Sequence, residues 1–453
     1  MMMFFGKKVL VIGLARSGLA TVSFLVKQGA RVTANDIKKE EELEGGLQQL
    51  KKLPVRLITG DHPPVKQGDY DLIIVSPGVA PTIPPVQEAR KLGIPVWSEL
   101  ELAARLIREP IVAVTGTNGK TTTTSLIGHI FQKAGKKAVV AGNIGIPLIQ
   151  AVEQHRGGID FWVVEVSSFQ LEQVVTFRPK IGVFLNLTPD HLDRHGTLEN
   201  YGKIKARLFE NQGPEDFAVL NMNDAYLRKI APNLKSRVFW FSRKELPNWG
   251  VGVRKDWIVS CFEGREEVIC KTSDVEIPGP HNLENALAAV GAALLAGIDK
   301  KVIREGLATF PGVAHRLELV RIVNGIKFVN DSKGTNPESV LNALEAFPEE
   351  EIILIAGGRA KGSDFRKLAL RIKERVKAVV LLGEARPLIK DALHQVGYRK
   401  VCEVSSLEEA VRTAAELAQP GDVVLLSPAC ASWDMFRDFE ERGNLFKELV
   451  RAL

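Results

Sequence analysis

The segment from Ile111 to Thr124, IVAVTGTNGKTTTT, constrains the fold of this 453-residue chain more than any other segment. Apolar residues typical of a buried strand are followed by a glycine-bearing loop and then by a helix start. Backbone amides in such a loop point towards an anion, and the amino terminus of the helix adds a favourable dipole. Lys120 contributes a cation, and Thr121 a hydroxyl suited to Mg²⁺. The segment predicts a nucleoside triphosphate site.

The loop departs from the pattern G-x-x-x-x-G-K-[ST] at one position, because Val114 stands where the first glycine is expected. The alternative is a turn rich in glycine and threonine that binds no ligand. We favour phosphate binding, because the strand, the loop and the helix follow in the order that the motif requires.

Composition fits a cytoplasmic protein of about three domains, at ~150 residues each. The net charge of +6 comes from interspersed charges, which suit small anionic substrates, and we expect no nucleic-acid partner. The four cysteines lack C-x-x-C spacing and predict free thiols in a reducing compartment. The first residues do not follow the order of a signal peptide, and the most apolar stretch, 286–298, is too short for membrane insertion.

Strands alternate with helices along the chain, which predicts an α/β protein with parallel sheets. Residues 1–97 are expected to form an N-terminal Rossmann-like domain, residues 98–309 a central P-loop domain, and residues 310–453 a C-terminal Rossmann-like domain. The stretch 236–278 predicts a small and irregular β region within the central domain. Buried strands are predicted at 8–14, 31–36, 71–78, 111–114, 136–142, 160–168, 181–188, 217–224, 326–331, 351–358, 377–384 and 421–428.

A glycine-bearing turn, Gly13 to Gly18, follows the first predicted strand, and Asp36 ends the second. The spacing resembles the dinucleotide fingerprint, in which an acid about 20 residues further on holds a ribose hydroxyl. Ala15 replaces the middle glycine, so an ordinary strand–helix turn is the alternative. We interpret the turn as a site for a nucleotide diphosphate.

Two features of the central part predict metal chemistry. Glu165 interrupts an apolar strand, where a carboxylate is costly unless it is paired or binds a metal, and Mg²⁺ is the natural partner near a phosphate loop. A carboxylate at a strand edge is the alternative. The segment 186–195 holds two acids and two histidines after a strand, and we interpret His191 as a ligand of a metal or a phosphate rather than as a structural histidine.

Lys205 lies within an apolar helical stripe formed by Tyr201, Ile204 and Leu208. A lysine among apolar side chains loses proton affinity, and its amine could then react with CO₂ to form a carbamate. The pattern alone nevertheless favours a side chain that extends to solvent.

Three polar segments, 330–336, 356–361 and 427–433, follow predicted strands of the C-terminal part, and His315-Arg316 precedes the first. Ligands of parallel sheets bind at the carboxyl ends of strands. These segments therefore predict a second small-molecule pocket that presents lysine and hydroxyl donors to an anion, although each segment alone could be an ordinary turn.

Ten segments, in order and spanning nearly the whole chain, resemble the Mur ligases, and the phosphate loop with Val114 is that family's own form. The segments are TGTNGKTTT (115–123), GNIG (142–145), VEVSSFQLE (164–172), NLTPDHLDRHG (186–196), YGKIKARLF (201–209), HNLENALAA (281–289), HRLE (315–318), NDSKGTNPES (330–339), GGRAKGSDF (357–365) and SPACASWDMFRDFEERGNLF (427–446).

The resemblance implies an ATP-dependent ligase that forms an amide bond in cytoplasmic peptidoglycan precursor synthesis. ATP would phosphorylate the carboxylate of UDP-N-acetylmuramoyl-L-alanine, and the amine of D-glutamate would attack the acyl phosphate through a tetrahedral intermediate. A monomer is expected. The alternatives are another amino-acid ligase of the family, folylpolyglutamate synthase, a nicotinamide-dependent oxidoreductase that rests on residues 13–36, and a non-catalytic nucleotide-binding regulator.

The resemblance also implies roles for individual residues. Catalysis falls to Lys120, Glu165, His191 and Lys205. ATP contacts fall to Gly116, Thr117, Asn118, Gly119, Lys120, Thr121, Thr122, Asn282, Asn285, Arg316 and Asp331. UDP-substrate contacts fall to Arg16, Ser17, Asp36, Gly78, Asn143, Ser167 and Gln170, and D-glutamate contacts to Thr335, Lys361, Ser432, Trp433 and Phe439.

Two Mg²⁺ ions are implied, one on Thr121 and Glu165, the other on His191 and a CO₂-derived carbamate of Lys205. Arg16 and Trp433 stand where small or aliphatic residues are common in the family.

Overall fold

The computed structural model describes residues 3–43, 47–155, 157–360 and 362–453. The strands are β1 Lys8–Ile12, β2 Arg31–Asp36, β3 Arg56–Thr59, β4 Leu72–Val75, β5 Val96–Ser98, β6 Ile111–Thr115, β7 Ala138–Gly142, β8 Phe161–Glu165, β9 Ile181–Phe184, β10 Phe217–Asn221, β11 Arg237–Ser242, β12 Trp249–Arg254, β13 Trp257–Phe262, β14 Arg265–Lys271, β15 Glu318–Val323, β16 Ile326–Asn330, β17 Ile352–Gly357, β18 Val376–Leu382, β19 Val401–Glu403 and β20 Val423–Leu426.

The α-helices connect these strands. They are α1 Arg16–Lys27, α2 Leu47–Leu50, α3 Pro84–Lys91, α4 Glu99–Ala104, α5 Lys120–Lys133, α6 Leu148–Gln154, α7 Ser168–Leu171, α8 Leu192–His195, α9 Leu198–Ala206, α10 Ala225–Ile230, α11 Pro280–Leu295, α12 Lys300–Thr309, α13 Pro337–Leu344, α14 Arg366–Arg375, α15 Arg386–Gln395, α16 Leu407–Leu417 and α17 Phe439–Ala452.

The elements form two compact units, and the predicted α/β class is confirmed. The first unit comprises Met1–Thr272 and Asn285–Leu307 and contains two sheets. The second comprises Ser273–Glu284 and Ala308–Leu453 and contains a third sheet. The finer division into domains at residues 97/98 and 309/310 stays a prediction.

The first sheet has the strand order β3-β2-β1-β4-β5, and all its pairs are parallel. Its central strands β1 and β4 are almost wholly buried, as expected of continuous apolar runs with helices on both faces. The chain reverses its direction across the sheet between β1 and β4. In open α/β sheets a crevice for a ligand forms at this point, at the carboxyl ends of the two strands.

The second sheet has nine strands in the order β14-β13-β12-β11-β10-β9-β6-β8-β7. Pairs from β7 to β12 are parallel, and β13 and β14 extend the sheet in antiparallel fashion. The β region predicted at 236–278 is confirmed, since β11 to β14 lie there, but these strands are regular and continue the same sheet. Strand β6 has β8 and β9 as its neighbours, so the three segments that follow them meet at one edge.

The third sheet has the order β15-β16-β20-β17-β18-β19, with β15 antiparallel to the other strands. Strand β20 lies between β16 and β17. The carboxyl ends of these three strands therefore bring together the polar segments that the sequence singles out in this part of the chain.

Two predictions from composition can be compared directly with the structure. All four cysteines are free thiols, as predicted. Among the described residues, no helix combines the length and the apolar character needed to cross a bilayer.

Candidate active site

The phosphate loop connects the fully buried β6 to α5. Gly119 caps the helix with a left-handed backbone (φ 84°), and a Cβ there would collide with the side-chain oxygen of Asn285. Gly116 has a φ of 153°, which other residues rarely adopt. The loop therefore depends on glycine at both positions, and helix α5 begins with its backbone amides at the loop.

The segment after β9 holds the phosphate loop in place. The amides of Thr117 and Asn118 donate to the backbone and side-chain oxygens of Asn186, at 3.0 and 2.9 Å. In return, the amide of Thr188 donates to the hydroxyl of Thr117 at 3.0 Å. Asn186 and Thr188 are not among the predicted site residues, although both lie in the polar segment 186–195 that the sequence places after a strand.

Lys120, Thr121 and Thr122 open helix α5. The ammonium of Lys120 donates to the carbonyls of Gly116 and Thr117, at 2.9 and 2.8 Å, and so folds back over the loop. Thr121 and Thr122 are buried, and the hydroxyl of Thr122 has no hydrogen-bond partner among the described residues. A loop with these groups can neutralise and hold a polyphosphate.

Asn285 reaches the same loop from α11. Its side-chain oxygen accepts from the hydroxyl of Thr123 at 3.3 Å. Among the predicted ATP contacts outside the phosphate loop, Asn285 belongs to the first unit, which also contains the loop. Asn282, Arg316 and Asp331 belong to the second unit.

Glu165 ends β8 beside the phosphate loop, where it is the register partner of Val114 on β6. It is 1% exposed, and β8 is flanked by strands on both sides, so the strand-edge alternative is wrong. One carboxylate oxygen accepts from the Asn143 amide at 2.7 Å, and the other has no partner in the described part of the chain. A buried carboxylate oxygen without a hydrogen bond is costly, and a cation would compensate it.

Lys205 is 1% exposed, so the alternative in which its side chain extends to solvent is wrong. Its amine donates to the carbonyl of Gly116 at 2.8 Å and lies 4.7 Å from the ring centre of Tyr201. Burial, and then the charge of Lys120, hold the pKa of the Lys205 amine well below its usual range, against the opposing charges of Asp190 and Glu165. The loop thus has a buried amine of weakened basicity against its backbone.

The two histidines of the segment 186–195 differ in environment. His191 has a left-handed backbone (φ 53°) and a side chain that is 34% exposed, and its Nε2 lies 3.7 Å from an Asp190 oxygen. His195 is buried, with Nε2 3.0 Å from the Ser168 hydroxyl. Burial, followed by the charges of His191 and Arg194, lowers the pKa of His195 to about 4. His191 is therefore the histidine accessible to a ligand.

These groups can be tested for their fit to Mg²⁺. Within the described ranges, no three or more His, Cys, Asp or Glu side chains cluster closely enough to hold a metal by themselves. Mg²⁺ usually keeps several waters and binds through one or two carboxylates plus substrate phosphates. The unpartnered oxygen of Glu165 beside Thr121 and the phosphate loop fits this kind of site, whereas an all-protein metal cage does not.

Four of the predicted UDP-substrate residues lie at or just after the carboxyl ends of β1, β2 and β4 in the first sheet. Both oxygens of Asp36 accept backbone amides, from Leu14 at 2.7 Å and Lys38 at 3.0 Å, so this acid shapes the turn after β1. Arg16 begins α1, and its guanidinium donates to the carbonyl of Gly145. Ser17 follows it in α1, and Gly78 follows β4.

The other three predicted UDP-substrate residues form hydrogen bonds with one another or with Glu165. Ser167 and Gln170 form a reciprocal capping box at the start of α7, with the Ser167 amide donating to the Gln170 side chain at 2.9 Å. The Asn143 amide holds the Glu165 carboxylate. Asn143 therefore connects the predicted UDP-substrate residues with the predicted metal ligands.

In the second unit, Asp331 follows β16 and is fully buried. One oxygen accepts from the Ser427 hydroxyl at 2.7 Å and the other from the Leu317 amide at 3.3 Å. Burial raises the pKa of Asp331 to about 6, opposed by the charge of Arg316. The Nε of Arg316 is buried without a partner among the described residues, while Asn282 donates to the Pro278 carbonyl at 2.7 Å.

The predicted amino-acid contacts also lie in the second unit. Thr335 follows β16, and Ser432, which follows β20, is buried with no partner for its hydroxyl in the described part. Trp433 is 61% exposed, and Phe439 begins α17. Lys361 lies outside the described residues. Parallel strand ends therefore collect the predicted residues that the structure describes.

Three family descriptions match successive parts of the chain: "Mur ligase MurD-like, N-terminal domain" at 7–98, "Mur ligase middle domain" at 114–293 and "Mur ligase, glutamate ligase domain" at 315–430. The UDP-N-acetylmuramoylalanine–D-glutamate ligase of Pelotomaculum thermopropionicum is 54% identical over 99% of this chain and 98% of its own. The chain belongs to the Mur ligase family. The enzyme of the same name from Alkaliphilus oremlandii is 46% identical, again over 99% and 98%.

Solved structures agree with this Mur ligase in fold. MurC from Thermotoga maritima, a UDP-N-acetylmuramate–alanine ligase, superposes with a TM-score of 0.61 at 22% identity, over 98% of this chain and 99% of its own. A MurF ligase from Thermotoga maritima, solved in complex with ADP, gives 0.61 at 17% identity, over 100% and 97%.

Proposed function

We propose that this Mur ligase adds D-glutamate to UDP-N-acetylmuramoyl-L-alanine, with ATP converted to ADP and phosphate. Full-length identity of 54% to a D-glutamate ligase supports the substrate, and the phosphate loop beside Glu165 and Lys205 supports the use of ATP. The observation that carries the chemistry is the buried amine of Lys205 on the Gly116 carbonyl, because ordinary phosphate binding does not require a second lysine there.

ATP is expected to bind at the phosphate loop, residues 116–119, through the backbone amides of the first turn of α5, because the amides of Thr117 and Asn118 already donate to Asn186. Lys120 would exchange its bonds to the Gly116 and Thr117 carbonyls for phosphate oxygens. Asn285 supports the start of the helix through Thr123. Asn282, Arg316 and Asp331 are assigned to ATP by the family resemblance. Phosphoryl transfer depends mainly on positioning and charge neutralisation, and these residue types supply both.

Two Mg²⁺ ions are proposed to be held by this chain, one by Thr121 and Glu165 and one by His191 and a modified Lys205. The neutral Lys205 amine adds to CO₂ and releases one proton, which leaves a carbamate bearing one negative charge. The neighbouring ammonium of Lys120 favours that charge. Mg²⁺, when bound, would neutralise charge on the ATP phosphates and on the substrate carboxylate as it attacks the γ-phosphate.

The substrate carboxylate is a poor electrophile, and its phosphorylation supplies a leaving group. We propose that Asn143, Ser167 and Gln170 orient the muramoyl-alanine end, with Arg16, Ser17, Asp36 and Gly78 at the UDP end. Thr335, Lys361, Ser432, Trp433 and Phe439 are proposed to hold D-glutamate so that its amine attacks the acyl phosphate. The chain's task is to bring the two reactants into contact and exclude competing water.

The remaining proposals concern the protein as a whole. Its partners are the small-molecule substrates, and it acts as a monomer in the cytoplasm. Its domains divide near residues 97/98 and 309/310, with the UDP substrate, ATP and the amino acid assigned to the three parts in that order.

The experiment is a substrate panel with phosphate release as the readout. Release is expected only when ATP, UDP-N-acetylmuramoyl-L-alanine and D-glutamate are all present. Equal turnover with L-glutamate or diaminopimelate would overturn the D-glutamate assignment and favour a sister ligase. Release without any amino acid would argue against amide-bond formation altogether.

A further inference from the structure

Arg442 lies in the first turn of α17 and is 1% exposed, which makes it the largest fully buried side chain of the described residues. Neither the phosphate loop nor the predicted amino-acid contacts include it. The sequence around it, DFEERGNLF, is rich in charge and is typical of a solvated helix end.

The guanidinium of Arg442 connects two loops at adjacent strand ends. Its Nε donates to the Ser332 hydroxyl at 3.0 Å and Nη2 to the Ser332 carbonyl at 2.8 Å. Nη1 and Nη2 each lie 3.4 Å from the Cys430 carbonyl. Ser332 follows β16, and Cys430 follows β20, which pairs with β16. The planar fork therefore spans both loops at once.

The loops that Arg442 connects carry residues proposed to bind substrates. Ser332 lies between Asp331 and Thr335 along the chain, and Cys430 is two residues from Ser432. The Ser332 hydroxyl also donates to the Phe439 carbonyl at 2.8 Å, which fixes the start of α17. Arg442 thus hydrogen-bonds to residues that hold three proposed amino-acid contacts in place, namely Thr335, Ser432 and Phe439.

Arg442 keeps its charge in this buried place. Burial lowers the pKa of the guanidinium to about 10, so it stays protonated at neutral pH. In the part of the chain that the structure describes, it hydrogen-bonds to neutral oxygens of Ser332 and Cys430. The charges of Asp434 and Asp331 offset the cost of burying this cation only in part, and an anionic ligand bound nearby would add to that compensation.

We propose that Arg442 is a positioning residue for the amino-acid substrate, which fixes the loops after β16 and β20 and adds a buried positive charge that favours a substrate with two carboxylates. This inference rests on the proposed function, because it takes the strand ends of the second unit as the amino-acid site.

The test compares Arg442→Met, Arg442→Lys and a matched control, Arg375→Met. Arg375, at the end of α14 in the same unit, also donates to two backbone carbonyls. They are those of Phe347 and Pro348, both at 2.7 Å. Each variant is assayed for the KM of D-glutamate, ATP and UDP-N-acetylmuramoyl-L-alanine, and for its melting temperature.

We expect Arg442→Met to raise the KM for D-glutamate roughly tenfold, with the KM for the UDP substrate unchanged. Arg442→Lys keeps the charge but loses the fork, so about a threefold rise is expected. Arg375→Met should lower only the melting temperature. If Arg442→Met lowers the melting temperature and leaves the KM for D-glutamate unchanged, the residue is structural and the inference fails.

Ser332→Ala covers the case in which Arg442→Met does not fold, because it removes only one acceptor of the guanidinium. About a threefold rise in the KM for D-glutamate is expected, and an unchanged value would overturn the inference. The wild-type protein separates the two proposals. If it uses another amino acid instead of D-glutamate, the proposed function fails, while the same KM comparison with that amino acid still decides the role of Arg442.

Discussion

Lys205 in the first unit and Arg442 in the second are equally buried, and each donates to backbone carbonyls of a loop at a strand end. The effect of burial on their pKa values differs. The pKa of Lys205 falls well below its usual range, whereas the pKa of Arg442 falls only to about 10. Burial acts against both cations, but a guanidinium spreads its charge over a planar group and holds its proton. Burial therefore makes the Lys205 amine much less basic, whereas the Arg442 guanidinium keeps its charge at neutral pH.

The acidic residues near Lys205 and Arg442, which are Glu165 and Asp331, also differ in how many hydrogen-bond partners their oxygens have. Near Lys205, one oxygen of Glu165 lacks a partner among the described residues and can take a cation. In the second unit, both oxygens of Asp331 accept hydrogen bonds, and burial raises the pKa of this acid to about 6. Glu165, near the phosphate loop, therefore has an oxygen available for a cation. Asp331, at the strand ends of the second unit, uses both oxygens to hold neighbouring protein groups in place.

The largest effect is expected for Lys205→Ala. Loss of the carbamate should lower kcat roughly 10³-fold, because a ligand of the second Mg²⁺ disappears. Short carboxylates such as acetate should restore part of the activity by occupying the vacated volume. Lys203→Ala, on the exposed face of the same helix, is the control. Normal ATP binding without any rescue would count against the carbamate and weaken the contrast with Arg442.

Glu165→Gln is expected to lower kcat about 300-fold and to raise the Mg²⁺ concentration needed for half-maximal activity. The amide keeps an oxygen for the Asn143 bond, so the melting temperature should hardly change. Titration of activity with Mg²⁺ measures the effect, and Glu199→Gln on the exposed face of α9 serves as control. An unchanged Mg²⁺ requirement would remove Glu165 from the metal site.

Asp331 should make stability depend on pH. Its folded pKa of about 6 exceeds the usual 3.8, so ionisation favours the unfolded chain. This destabilisation is absent below about pH 4, grows up to about pH 6 and then stays constant, reaching at most ~3 kcal/mol.

Asp331→Asn removes that ionisation. Relative to Asp331→Asn, the wild-type free energy of unfolding should therefore fall between pH 4 and pH 7, as measured by denaturant titration at each pH. A difference that stays constant over this range would contradict the raised pKa, and Asp364→Asn, an exposed acid of the same unit, should show no such trend.

The smallest effect is expected for Ser432→Ala. Its buried hydroxyl has no partner in the described part of the chain, so its removal should leave the melting temperature unchanged or slightly higher. The KM for D-glutamate should rise about threefold if the hydroxyl contacts the substrate. A lower melting temperature with an unchanged KM would indicate that the hydroxyl supports the fold instead.

Apart from β7, which is at an edge of the second sheet, the strands predicted individually from sequence are those in the middle of the sheets. Strands such as β4 and β20 are buried throughout and read as continuous apolar runs. The strands that the pattern missed, β3, β5, β15 and β19, are all at sheet edges and are partly exposed. An edge strand has only one neighbour and faces solvent, so its sequence lacks the apolar run that marks a buried strand.

The site residues follow a similar rule. Glu165 and Lys205 could be singled out because each interrupts an apolar pattern. Arg442 lies four and eight residues before Phe446 and Val450, on the same buried face of α17. This spacing could have predicted its burial from sequence, but the charged residues around it make the segment resemble a solvated helix end. The hydrogen bonds from Asn186 to the phosphate loop could not be read from sequence, because they depend on the order of strands in the sheet.

The bonds between the phosphate loop and the segment after β9 also bear on the entropy of nucleotide binding. Residues 117 and 118 are already fixed by Asn186 and Thr188 before any ligand arrives. Ordering one residue's backbone costs about 1–2 kcal/mol, so a loop that is ordered in advance spares the ligand that cost. The affinity for the triphosphate can then come almost wholly from the contacts themselves.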